Sequence, residues 1–376
     1  MRPEGFNGRM AIPAAKPNGR PFERWVPLAR QVVRASLHLG WKDVFDIYTY
    51  PPTIPLAEAL ALEARRVGSD THLTLMTDDL WFTSMRELSM KWLSQPSPVH
   101  LAIDSISTAA IYLGGPADAR RMREIPPEKF DANSLGNLRQ HEPQRRRKVR
   151  TVDLPIGRVT PERAAAYGLD YADWSRSYNA ALAVDLKVIQ RAGAALARRL
   201  EGRRTVRLTS DGGTDLRFET KPISPAIDDG IISPPDLRRG LVETALPAGK
   251  VEAAIRPESA NGEVHSTDSI FIAGRAVVHP WYRIRSGKIV AWGADDREDL
   301  LSHALKESKV GSARLGFMTV GLNKAAKPCM LDNSIVKDDV GIGLGPHPLL
   351  ERRIADPSVS FGATIGVVRI DIEPSR

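Results

Sequence analysis

A chain of 376 residues, 42% hydrophobic and 26% charged, has ordinary globular composition and is long enough for two domains, since single cores stop growing near about 250–300 residues. No apolar run reaches the ~20 residues that span a bilayer, residues 1–20 carry no apolar stretch of a secretory leader, and Cys329 is the single cysteine, which excludes an internal disulfide and a multi-cysteine zinc site and fits a reducing cytoplasm. The net charge of +8 raises a nucleic-acid reading, but much of the excess sits in Arg145-Arg146-Arg147-Lys148-Val149-Arg150. That run has no interleaved aromatics to stack on bases and reads as a solvated loop or subunit contact.

The first 25 residues, rich in Pro, Gly and Arg, read as an extended arm. From Trp41 to Leu113 strand-like and helix-like pieces alternate: strands over Val44–Tyr50, Thr71–Met76 and Val99–Ile103, and a helix over Pro55–Val67 stopped by Gly68. This alternation predicts a parallel α/β sheet. Residues 114–158 read as a polar connector. Thr160 and Pro161 mark a helix start, and Leu182, Leu186, Ile189, Gly193, Leu196 and Leu200 form an apolar seam on a helix over Asn179–Leu200. Beyond Thr205 the pattern turns to β: Ser286-Gly287 between two alternating runs predicts a hairpin, and a short helix over Arg297–Lys306 precedes a Gly-rich end. The domains expected are an arm and helix over 1–40, an α/β domain over 41–158, and an α+β domain rich in β-structure over 159–376 that bears the site.

Four groups of segments then carry a resemblance: Gly168-Leu169-Asp170-Tyr171-Ala172-Asp173-Trp174 with the helix after it; Gly212-Gly213-Thr214-Asp215-Leu216; Asp228-Asp229-Gly230 with Leu246-Pro247-Ala248-Gly249-Lys250-Val251 and Asn261-Gly262-Glu263-Val264; and Gly321-Leu322-Asn323 with Leu331-Asp332 and Ile342-Gly343-Leu344-Gly345. In order and spacing they resemble the aminopeptidase T/S family of two-metal leucyl aminopeptidases, whose scaffold the iron-dependent 2,5-dihydroxypyridine dioxygenases also use. The resemblance implies an aminopeptidase T/S-like fold and a homodimer. It does not fix the reaction.

Position by position, the resemblance implies that the metal ligands are gone. Lys250 stands where the family has a glutamate in Pro-x-Gly-Glu-Val, Arg314 where it has an acid, Gly341 where it has a histidine, and Ser358 with Ser360 near its His-x-Asp. An ammonium has no lone pair and a guanidinium stays protonated, so neither ligates zinc, cobalt or iron. None of His265, His279, His303 and His347 forms a His-x-His or His-x-x-x-His pair. No metal or cofactor is therefore expected.

The candidate catalytic residues are Lys250, Asp332 and His347; the candidate substrate-binding residues are Arg314, Ser358, Ser360 and Asp338. Two cations in one pocket would hold a substrate carboxylate or a developing oxyanion, and a lysine beside an arginine would have a lowered pKa suited to base or nucleophile work. The expected function is a metal-independent, cytoplasmic hydrolase of a small anionic substrate (an amide, lactam or ring-derived acid), with no membrane or nucleic-acid partner. A catalytically silent anion or partner binder, and a metalloenzyme with relocated ligands, stay open as alternatives.

Overall fold

The computed structural model describes residues 19–272, 275–307, 314–328, 331–347, 350–351 and 362–375; Ser358 and Ser360 lie outside these residues. Five strands form a parallel sheet in the spatial order Asp70–Leu75, Val44–Thr49, Ala109–Tyr112, Arg150–Asp153 and Glu243–Ala245. One face buries Phe45, Ile47, Ile111 and Val152 against Leu28, Leu56 and Leu60, the last two on the helix Ile54–Arg66. That helix stops at Gly68, whose φ is +88°, the left-handed conformation that ends helices cheaply at glycine.

The third strand differs from the expectation. Residues Val99–Ile103 lie in a helix, Pro98–Ile106. Ser97 accepts a hydrogen bond from the His100 amide at 3.4 Å, and Pro98 occupies the first turn. A cap and a proline at that position start a helix despite the apolar run, and Ala109–Tyr112 takes the strand's place. The expected connector is also structured. A 20-residue helix, Pro127–Arg146, crosses it and leads into the fourth strand. The basic run ends that helix and starts the strand, where Arg145 pairs with Glu243 at 2.9 Å, Arg146 with Glu142 at 2.7 Å, and Arg150 with Asp43. Much of its charge is thus spent inside the molecule.

The apolar seam is carried by two helices rather than one, Tyr171–Leu182 and Leu186–Leu200, because Asp185 accepts the Lys187 amide at 2.9 Å and caps a new start. Thr160 caps its helix as expected, accepting the Arg163 amide at 3.1 Å.

A second, antiparallel sheet has ten strands among the described residues. Its spine is Lys250–His265, which pairs with Leu315–Gly321, Asp215–Thr220, Ala226–Asp228 and Trp281–Arg285. The expected hairpin is present, Trp281–Arg285 with Lys288–Gly293, turned by Ser286 and Gly287 at φ +47° and +77°, the pair of positive values a type I′ turn needs. The two sheets are joined through the short return Glu243–Ala245. It completes the parallel sheet and leads within five residues into the long strand, so the parallel sheet reaches past the 158/159 boundary read from the sequence. No helix among the described residues is long and apolar enough to cross a membrane.

Candidate active site

The site is built by strand register. Asp228 pairs with Lys250, and Lys250 with Gly321; in the next row facing the same way, Ala226, Glu252, Thr319 and Gly341 are successive partners. Residues opposite one another, and residues two apart on one strand, share a face, so Asp228, Lys250 and Glu252 project together into a cavity of about 400 Å³ between the two sheets. The turn before Lys250 is tight. Gly249 has φ +135°, and a Cβ there would lie 2.9 Å from the Asn323 side chain, so a side chain fits neither the conformation nor the space. Its amide donates to the Asp228 carbonyl at 3.0 Å, and its carbonyl accepts the Leu322 amide at 2.8 Å.

Asn323 anchors this turn. It is fully buried, its Nδ2 donates to the carbonyls of Ala248 at 2.8 Å and Ala181 at 3.1 Å, and its Oδ1 accepts the amides of Ala325 and Ala326. Asn323→Ala would strand two buried carbonyls and two amides. A loss of about 3 kcal/mol in urea denaturation is expected, together with weaker ligand binding at Lys250.

Lys250 is surrounded by acids. Its Nζ lies 3.4 Å from Glu252 Oε1 and 3.7 Å from Asp332 Oδ2. Burial alone would lower its pKa; Glu252, Asp332 and Asp228 override that and hold it above its ordinary value. The expectation of a lowered pKa is therefore corrected. The reason is that, among the described residues, no arginine stands beside it. Arg314 lies just before one end of the strand Leu315–Gly321, while Lys250 pairs with the other end, at Gly321. About seven residues at ~3.3 Å per residue separate them. Arg314 is partly exposed and paired with Glu258 at 3.3 Å, so the expected Lys/Arg anion pocket does not form.

Glu252 is bracketed. Its Oε2 lies 3.2 Å from His347 Nε2, and the Leu350 amide donates to His347 Nδ1 at 3.1 Å. These bonds assign the ring proton to Nε2, facing the carboxylate. Burial would raise Glu252, but Lys250 and then His347 bring it down to about 2. Asp228 behaves in the opposite way. Burial pushes it up to about 6 although Lys250 and the Thr244 hydroxyl favour its ionised form; its Oδ1 accepts from Thr244 Oγ1 at 2.5 Å and from the Ala245 amide at 3.1 Å.

Of the residues proposed from sequence, the structure brings together Lys250, Asp332 and His347. Asp332 also caps a short turn, accepting the Ser334 amide at 2.9 Å. Asp338 is exposed, with φ +67° and an ion pair to Lys337 at 2.5 Å; its neighbour Asp339 is the buried one. Sequence reasoning missed Glu252 and the chemistry of Asp228. The signal for Glu252 was present: it stands two residues from Lys250 on a strand.

The resemblance read from the sequence implies a metal, and the side chains can be tested for it. At the position where that resemblance implies a carboxylate ligand, an ammonium stands between Glu252 and Asp332. A dication there would have to displace a charge of its own sign, so this donor set does not suit it. Among the described residues no group of three or more His, Cys, Asp or Glu is gathered as a metal cluster.

Two solved structures resemble the whole chain. Wild-type AmpT from Thermus thermophilus superimposes with a TM-score of 0.66 at 18% identity, covering 93% of this chain and 95% of that one. The chain has an aminopeptidase T-like fold. The 2,5-dihydroxypyridine dioxygenase of Pseudomonas putida KT2440 matches with a TM-score of 0.55 at 10% identity, over 94% of each chain. No family model and no curated protein matches the sequence. At these identities the likeness establishes the scaffold, and both neighbours are named as enzymes.

Proposed function

We propose that the chain is an enzyme that hydrolyses a small amide, lactam or similar ring-derived acid derivative by general acid–base chemistry, without a metal. The observation that carries this reading is the placement of Asp228, a carboxyl with a pKa of about 6, directly across the register from the Lys250 ammonium on the wall of one cavity. Paired groups whose environments push them to opposite protonation behaviour mark acid–base sites.

In this mechanism Asp228 as carboxylate takes a proton from water while the water oxygen bonds to the substrate carbonyl carbon. The carbonyl electron pair moves to oxygen, where Lys250 donates a hydrogen bond. Its contacts at 3.4 and 3.7 Å are longer than charge-assisted hydrogen bonds of about 2.8 Å, which leaves a proton to give. Collapse of the tetrahedral species breaks the C–N bond, and the proton held by Asp228 passes to the departing amine. Glu252 and Asp332 keep Lys250 charged and aimed; His347 fixes Glu252. Five acids against one lysine and one arginine, Lys250 and Arg145, line this cavity together with His141 and His347, so the reacting end of the substrate is neutral or amine-bearing rather than anionic.

The test is a screen of small amides and lactams with purified protein, followed by a pH profile. Because Asp228 acts as base, kcat/KM is expected to rise with pH along a limb near 6. Stoichiometric zinc, cobalt or iron in active protein, with loss of turnover on its removal, would overturn the metal-free reading.

A further inference from the structure

A larger cavity, about 1020 Å³, opens in the N-terminal layer. It lies at the carboxyl ends of the parallel strands, where Tyr48, Thr74, Tyr112 and Asp153 line it from four neighbouring strands. From Val44–Thr49 the chain steps to one side of the sheet, to Asp70–Leu75; from Ala109–Tyr112 it continues to the other. The cavity therefore sits at the point where the winding reverses, the crevice in which open α/β sheets bind ligands. Its walls are aromatic. Tyr48 and Tyr112 stack at 4.6 Å, and Trp81 and Phe130 lie 6.3 Å apart. It adjoins the Lys250 cavity, since Tyr112, His141 and Asp153 line both.

One wall carries a buried charge. Arg163 is only 4% exposed. Its Nη1 donates to the Tyr167 hydroxyl at 2.9 Å and its Nη2 to the Pro116 carbonyl, both neutral, while its Nε–H has no partner among the described residues. A guanidinium is always protonated, and an isolated buried charge is costly until an anion joins it. Arg158, on the same lining, is coupled to Asp153, so it does not play this part.

We infer that this cavity binds a planar aromatic carboxylate, its ring against the aromatic walls and its carboxylate on Arg163. The site stands apart from the reading of Asp228 and Lys250.

Full-length protein titrated with indole-3-acetate and benzoate, and with the neutral tryptophol and benzyl alcohol, tests it by calorimetry. The acids are expected to bind at least about tenfold tighter than the alcohols, Arg163→Met to abolish the preference, and Arg163→Lys to keep part of it. Asn137→Asp adds a negative charge at an exposed position of the lining. It is expected to weaken the acids several-fold and leave the alcohols unchanged, and so serves even where Arg163→Met fails to fold. Asp228→Asn is expected to bind the acids like wild type, which separates this site from the catalytic one. Equal binding of acids and alcohols, or no acid binding at about 10 mM, would overturn the inference.

Discussion

Lys250→Met is expected to cost about 3–5 kcal/mol of stability and to remove turnover. Both consequences follow from its enclosure. Lys250 and Glu252 have side chains only 18% and 12% exposed, so solvent screens them little, and removing one member of a buried pair leaves the other uncompensated. Here three acids lose their partner: Glu252, Asp332 and Asp228. Glu252 falls back on His347 alone, and Asp228, whose ionised form Lys250 favours, moves above about 6. The variant's pH profile, where residual activity permits, should therefore shift to higher pH, which a merely structural lysine would not cause. Lys250→Met combined with Glu252→Leu should regain part of the stability and none of the activity. A single Lys250→Met variant with wild-type urea midpoint and turnover would end the role given to this residue.

The pair also fixes a pH dependence of stability. Glu252 is held near 2, below an unfolded value of about 4.3. Its contribution is present above the unfolded value and is lost as pH falls through about 2.

Asp228→Asn is expected to lower kcat by about 10²–10⁴, the usual worth of a positioned acid–base group, with a small change in KM. The replacement is nearly isosteric. Asn Oδ1 can still accept from Thr244 Oγ1 and the Ala245 amide, the two bonds that hold Asp228, so the fold should survive. Stability should even become less dependent on pH. Asp228 is raised from an unfolded value of about 3.9 to about 6, so the folded state holds the proton more tightly, and stability from this group declines as pH rises between those values. In the Asn variant that decline disappears, and so does the limb near 6 in kcat/KM. Measured together, rate and melting curve distinguish a lost base from a damaged fold. Half or more of the wild-type kcat would exclude Asp228 as the base.

Local chemistry alone accounts for several elements. Thr160 and Pro161 start a helix because a hydroxyl and an imide fit unsatisfied first-turn positions, and Ser286-Gly287 turns a hairpin because both positions need positive φ. The scaffold too was legible, from short segments around Gly249, Asn261 and Asn323, where backbone contacts tolerate few residues. Two readings failed where competing local signals meet. Ser97 and Pro98 outweighed the strand-like run at Val99–Ile103, and Asp185 divided a helix whose seam runs on unbroken.

The site was legible only in part. Lys250, Asp332 and His347 were proposed from the resemblance and its loops, and alternation on a strand places Glu252 beside Lys250. Register, which depends on pairing between distant segments, decided the rest. It set Asp228 opposite Lys250 and carried Arg314 to the far end of the neighbouring strand. Burial decided protonation: the same carboxyl chemistry gives about 2 at Glu252 and about 6 at Asp228, because one lies between two donors and the other loses more to desolvation than it regains. Arg163 reads in sequence as one more basic residue in a helix start. Only packing shows that its charge is buried beside a cavity with neutral hydrogen-bond partners and, among the described residues, none at Nε. The sequence by itself determined the elements and the scaffold, since these rest on nearest neighbours. The tertiary structure decided which charges face one another, because electrostatic energy depends on distance and solvent exclusion, and neither is written along the chain.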